Sequence, residues 1–176
     1  MFLFFLLTVL LLQFDIGSIY SVMGKLETAL DHFQRCLLQR RKLLGFHVDV
    51  ANVLYEMATI FSQQDQANIA VQCLTESDRI WKAKLKDNEK LISHLLLSGK
   101  LCKSLMCYKA AEENYEQALE LAIVIYGQDS ELVAQILLTL GELLHEINQM
   151  EQSLFCFDES IRVRTKLYGP DSASVG

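Results

Sequence analysis

Small side chains recur in this chain on a fixed period, and that recurrence limits the fold more than any other feature. Gly17, Ala58, Gly99 and Gly141 stand 41, 41 and 42 residues apart. Twelve residues after each come Ala29, Ala70, Ala111 and Ser153, and seven further on come Cys36, Ser77, Ala118 and Ser160. All twelve positions hold Gly, Ala, Ser or Cys, although these types make up only about a fifth of the chain. Self-similarity at such a period marks a repeat architecture, in which each unit is one supersecondary element stacked on its neighbours.

Bulky residues keep the same frame. Phe33, Leu74, Tyr115 and Phe157 lie four after the second small position, and Tyr20, Phe61, Cys102 and Leu144 three after the first. Such a pattern suits two helices whose axes approach where side chains are small, with an aromatic or Leu knob filling the space beside them. One proline and eight glycines in 176 residues leave too little turn punctuation for an all-β fold. The reading is all-α, with turns inside units at Gly24, Gln64 with Asp65, Cys107, and Asn148 with Gln149. Turns between units fall at Gly45, Asp87 with Asn88, Gly127, and Gly169 with Pro170.

The motif Ile16-Gly17-x-x-Tyr20 followed by Ala29-Leu30-x-x-Phe33-x-x-Cys36 resembles the tetratricopeptide repeat. It returns as Met57-Ala58-x-x-Phe61 with Ala70, Leu74 and Ser77; as Gly99-x-x-Cys102 with Ala111, Tyr115 and Ala118; and as Leu140-Gly141-x-x-Leu144 with Ser153, Phe157 and Ser160. Units of that family usually have 34 residues. The extra seven or eight, and endings such as Tyr126-Gly127-Gln128-Asp129-Ser130, resemble the longer kinesin-light-chain type. The resemblance implies an α-solenoid of tandem helix–turn–helix repeats wound as a right-handed superhelix. The repeats expected are about 10–50, 51–91, 92–133 and 134–176. The second is the least regular, because it lacks a Gly turn, and the segment Asp171–Gly176 parallels the opening of the fourth repeat, as a truncated array would show.

Residues 1–9 form an apolar N-terminal segment, part of the run MFLFFLLTVLLLQF. The run lacks a basic flank, and Asp15 interrupts it before the ~20 residues a membrane span needs. A helix start is the preferred reading over a signal or anchor. Five scattered cysteines, odd in number and without a CxxC pair, point to a reducing, cytoplasmic setting.

In this family the first helix of each unit lines a concave groove that holds a peptide, and the resemblance implies the same here. The matching positions are Asn52, Tyr55, Thr59, Ser62 and Gln63; Ser93, Leu96, Lys100, Lys103 and Ser104; and Gln135, Leu138, Glu142, His145 and Glu146, with Phe14 and Ser18 equivalent in the first unit. The two lysines have two readings of equal weight, ligand contact or pairing with Glu142 or Glu146. Phe14, Tyr55 and Leu96 stand where a carboxylate clamp for chaperone tails needs polar or basic groups, so that role is not expected. The groove asparagines frequent in kinesin-light-chain repeats are mostly absent, with Asp15, Glu56, Leu97 and Thr139 in that frame, so repeat length alone does not carry motor-cargo function over to this chain.

Composition and motifs exclude much else. The net charge is −6, with thirteen basic and ten acidic groups up to residue 110 and three and twelve beyond it. Neither half suits nucleic acid. Basic triplets at Arg40, Arg41 and Lys42, at Lys82, Lys84 and Lys86, and at Arg162, Arg164 and Lys166 are read as cations complementing helix C-termini. Four histidines join no nucleophile or metal-ligand pattern, Cys102 and Cys107 are read as packing, and Glu112 with Glu113 and Asp158 with Glu159 as solvated surface. The expectation is therefore a non-catalytic interaction scaffold with no cofactor or metal, binding a protein or peptide partner, and capable of self-association through uncapped terminal helices. The alternative is an oligomerisation or sensor region of a larger signalling or motor-adaptor protein.

Overall fold

The computed structural model describes residues 2–85 and 89–169, with side chains from Leu12 onward. The described elements are helices: α1 (Phe2–Val22), α2 (Leu26–Leu44), α3 (Val48–Gln63), α4 (Ala67–Lys84), α5 (Glu89–Ser104), α6 (Tyr108–Tyr126), α7 (Glu131–Glu146) and α8 (Met150–Tyr168). Successive helices pack as hairpins, α1 on α2, α3 on α4, α5 on α6 and α7 on α8. The chain divides into two compact units, Met1–Lys84 and Leu85–Gly176. Inside the first, α2 packs on α3, and inside the second, α6 packs on α7. This is the all-α repeat array of tandem helix–turn–helix units that the small-residue frame predicts. The helix pairs after the first begin at 48, 89 and 131, three residues ahead of the frame boundaries, and α1 runs through residues 9 and 10 without a break.

The period is explained by what the small residues face. A Cβ on Gly17 would lie 2.8 Å from Phe33 Cε1, one on Gly99 2.5 Å from Tyr115 Cε1, and one on Gly141 2.7 Å from Phe157 Cε1. Each ring therefore packs directly on bare backbone of the partner helix, closer than a Cβ there permits. Repeat two has Ala58 with Leu74 in those places, both buried, so the smaller knob goes with the socket that a methyl group already partly fills. Ala29, Cys36, Ala70, Ser77, Ala111, Ala118, Ser153 and Ser160 are buried as well. Ser77 donates to the Ala51 carbonyl and Ser160 to the Ala134 carbonyl, both at 2.8 Å, and Ser153 to the Gly141 carbonyl at 2.8 Å. A hydroxyl at a small position thus bridges to the backbone of the neighbouring first helix, satisfying its own polarity in the core.

The turns inside repeats share one geometry. Gly24, Asp65, Met106 and Asn148 have φ of 73°, 57°, 58° and 67°. The following N–H closes each turn on a carbonyl five residues back, Lys25 to Tyr20, Gln66 to Phe61 and Cys107 to Cys102 at 2.9 Å, and Gln149 to Leu144 at 2.8 Å. This is the αL helix terminus that satisfies otherwise orphaned carbonyls. In the third repeat the turn residue is Met106 and not Cys107, whose φ is −84°. A left-handed methionine leaves no Gly, Asn or Asp to mark the site in sequence. Between repeats the left-handed residue is Gly45, Gly127 or Gly169. The turn expected at Asp87 with Asn88 and the residues from Pro170 to Gly176 lie outside the described residues.

Candidate functional site

The first helices of the second unit, α5 and α7, bound a depression of about 790 Å³. From α5 come Leu96, Leu97, Lys100, Lys103 and Ser104, and from α7 Leu132, Gln135, Ile136, Thr139, Glu142 and Glu146. Met106, at the αL turn, and Tyr108 and Tyr115 of α6 complete the wall. The site thus follows from the hairpin: the Gly99 contact with Tyr115 draws α6 against α5, and the turn at Met106 sets Tyr108 at the rim. Burial pushes the Tyr115 phenol up to about 12, with smaller contributions from Cys102 and Glu142, so it is neutral at physiological pH.

Charges in the depression are partly matched. Lys103 Nζ lies 2.6 Å from Glu146 Oε2, bridging α5 to α7, and the Tyr108 hydroxyl donates to Glu146 Oε1 at 3.4 Å. Lys100 and Glu142 are exposed and have no ion-pair partner among the described residues. Leu97 is half exposed beside them. The two readings of the lysines therefore divide between them, with Lys103 paired internally and Lys100 open.

Lys100, Lys103, Gln135 and Glu142, with Leu96, Ser104 and Glu146, come together in this depression; Leu138, His145 and Ser93 do not line it. One step along a helix turns a side chain by about 100°, and the wall of α7 is centred on Ile136 and Thr139 instead of Leu138. Met106 and Tyr108 carry no groove signal in sequence, because they belong to the turn and the second helix. In the first unit Asn52, Tyr55, Thr59 and Ser62 are half-buried along α3 and Gln63 is exposed, with Thr59 donating to the Tyr55 carbonyl at 3.1 Å. Burial raises the Tyr55 phenol, helped by the Glu56 charge, and burial raises the Glu56 carboxyl. Phe14 packs on Phe33 with ring centroids 5.6 Å apart, beneath the Arg40 guanidinium, and Ser18 donates to its carbonyl.

Most of the first and third basic triplets contact other parts of the chain. Arg40 is buried and donates to the Asp49 carbonyl at 2.8 Å, and Arg41 pairs with Glu76 at 2.7 Å. Arg162 and Lys166 both hold Asp129 in the turn before α7, while Arg164 meets Glu131. Arg41, Lys42, Lys82, Lys84 and Lys166 stand in the last turns of α2, α4 and α8, as cations complementing helix ends do, and Arg41 and Lys166 also cross-link elements. Lys86 lies outside the described residues. Among the described residues no group of three or more His, Cys, Asp or Glu could hold a metal, and no helix is long and apolar enough to cross a membrane.

A family model described as Tetratricopeptide repeat matches residues 7–83 and 91–166. A curated relative, the Clustered mitochondria protein homolog of Candida albicans, is 23% identical over 160 residues, which are 90% of this chain and 12% of that protein. The chain thus spans about an eighth of that relative. Among solved structures, the nearly identical TPR-like repeats of a Podosopora anserina protein described as a kinesin light chain superpose with a TM-score of 0.75 at 14% identity, covering 93% of this chain and 78% of that one. BtubC (BKLC) from P. vanneervenii gives a TM-score of 0.69 at 17% identity, covering 89% and 62%. At these identities the two structures speak to the fold alone.

Proposed function

The chain belongs to the tetratricopeptide repeat family, whose members are generally non-enzymatic protein–protein interaction scaffolds, and from that premise we propose that its second unit holds a peptide segment of a partner protein between α5 and α7. The observation that carries this is the depression itself. Its volume falls within the 300–1,000 Å³ of typical ligand pockets, its walls mix Leu, Ile, Met and Tyr with polar side chains, and pairing of Lys103 with Glu146 leaves Lys100 and Glu142 as its unpaired charges. An apolar side chain of the ligand fits against Leu96, Leu97 and Ile136. A ligand carboxylate is served by Lys100 and a cation by Glu142, which fixes the direction in which the segment lies.

The test is a pull-down from cell extract with the wild-type chain beside a Lys100→Glu/Lys103→Glu variant, read by mass spectrometry after far-UV circular dichroism has confirmed equal helicity. A protein captured by the wild type and lost in the variant is the expected result. An identical set of captured proteins would remove the groove from the interaction. A second reading is an assembly role inside a longer polypeptide, favoured by the small share of the Candida relative that this chain spans. Light scattering over a concentration and salt series separates the two, since a monomer under all conditions removes self-assembly.

A further inference from the structure

The second unit has another surface, built from different residues. Helix α6 carries Glu112, Glu113, Glu116 and Glu120, a run with like charges at i and i+4 that weakens the helix. Four other carboxylates of this unit are paired within the chain: Asp129 with Arg162 and Lys166, Glu131 with Arg164, Glu146 with Lys103, and Glu159 with Arg162. Among the described residues, Glu112, Glu113, Glu116, Glu120 and Glu151 have no such cation. Partial burial, then the charges of Glu112, Glu120 and Glu113, hold the Glu116 carboxyl above its usual range. Among the described residues no ion pair relieves this repulsion.

Glu112 and Glu116 form one bank of a channel of about 330 Å³, Glu151 and Phe155 of α8 form the other, and Leu140 and Leu144 of α7 lie between them. Phe155 is 65% exposed at the edge. No residue is shared with the depression between α5 and α7.

We propose that the channel between α6 and α8 docks a basic amphipathic segment of a partner protein, with an apolar side chain against Phe155 and Leu144 and Lys or Arg residues facing Glu112 and Glu116 on one bank and Glu151 on the other. Charge complementarity selects this occupant. An acidic or neutral segment would meet unrelieved carboxylates on both banks, whereas a basic one removes the repulsion that the fold leaves in place. The apolar floor adds the burial that ion pairs at a solvated rim do not supply.

The test uses the full chain and a fluorescein-labelled helical peptide of alternating Leu and Lys clusters, with a Leu/Glu peptide of the same pattern as its opposite, read by fluorescence anisotropy. The Leu/Lys peptide is expected to bind, with affinity falling as salt rises, and the Leu/Glu peptide is not. Glu112→Gln/Glu116→Gln and Phe155→Ser should each weaken binding at least tenfold. Glu142→Gln/Glu146→Gln, which removes the same charge from the other depression, should change it less than threefold. All substituted side chains are on the surface, and circular dichroism checks that each variant keeps its helices. No binding of the Leu/Lys peptide, equal binding of both peptides, equal losses in the two double variants, or an unaffected Phe155→Ser would each overturn the proposal.

Discussion

Gly99 and Tyr115 show how single residues set the geometry of a repeat. A methyl group at residue 99 would sit 2.5 Å from the ring, and overpacking a tight core contact costs about 1–3 kcal/mol. Ala gains about 0.5–1 kcal/mol over Gly inside a helix, so Gly99→Ala is expected to lower stability by about 0.5–2 kcal/mol in urea unfolding, and Gly99→Ala/Tyr115→Leu to recover much of it by copying the Ala58 and Leu74 pair of repeat two. Additive losses in the double variant would show that the ring and the methyl do not compete. Met106 presents the reverse case, a side chain held at φ 58° and 76% exposed. The left-handed region costs a residue with a Cβ roughly 1–2 kcal/mol, part of which Gly returns as unfolded-chain entropy. Met106→Gly should therefore stabilise the chain by about 0.5–1 kcal/mol in the same experiment, and no gain would place compensating contacts around the methionine.

Between elements, two carboxylates respond to acid in opposite senses. Hydrogen bonds from Lys166 and Arg162 lower the Asp129 pKa from 3.8. The stability it adds to the α7–α8 pair is present above that value and is lost as pH falls through the lower folded one. Burial and neighbouring charges raise the Glu116 pKa from 4.5. Its contribution is present below 4.5 and is lost as pH rises through the raised folded value, so at neutral pH the ionised group strains α6. Thermal midpoints from pH 2.5 to 7 are expected to show Asp129→Asn losing stability chiefly above pH 4, and Glu116→Gln gaining it chiefly above pH 5. Parallel shifts at every pH would assign both effects to something other than titration.

At the scale of the molecule, the fold was legible in the sequence because packing, turns and period all repeat, so each copy corroborates the others. The depression between α5 and α7 was legible only in part. Lys100, Lys103, Gln135 and Glu142 lie on regular helix faces that a repeat frame can address, whereas Met106 and Tyr108 reach the depression through a turn whose residue types vary among Gly24, Asp65, Met106 and Asn148. Leu138 and His145, expected at groove positions from the frame, stand one residue from Thr139 and Glu146 and do not line this depression. The unpaired glutamates of α6 read as plain solvated surface in sequence, since the cations that neutralise their neighbours come from distant parts of the chain. Each unit carries its own buried residues, Phe33, Val53 and Ile60 in the first and Leu95, Tyr115 and Leu143 in the second. A chain of residues 85–176 alone is thus expected to give a helical far-UV spectrum and a cooperative thermal transition, and a gradual melt would show that this core does not suffice.

The ring seated on bare backbone also constrains how such a chain can change over generations. Between Gly with Tyr and Ala with Leu lie two single-step intermediates. One, Gly with Leu, leaves a void that the surrounding side chains can partly close. The other, Ala with Tyr, drives a methyl into an aromatic carbon with helices on both sides. Descent between the two states therefore has a preferred order, in which the knob shrinks before the socket fills, and the positions sixteen apart are inherited as one character.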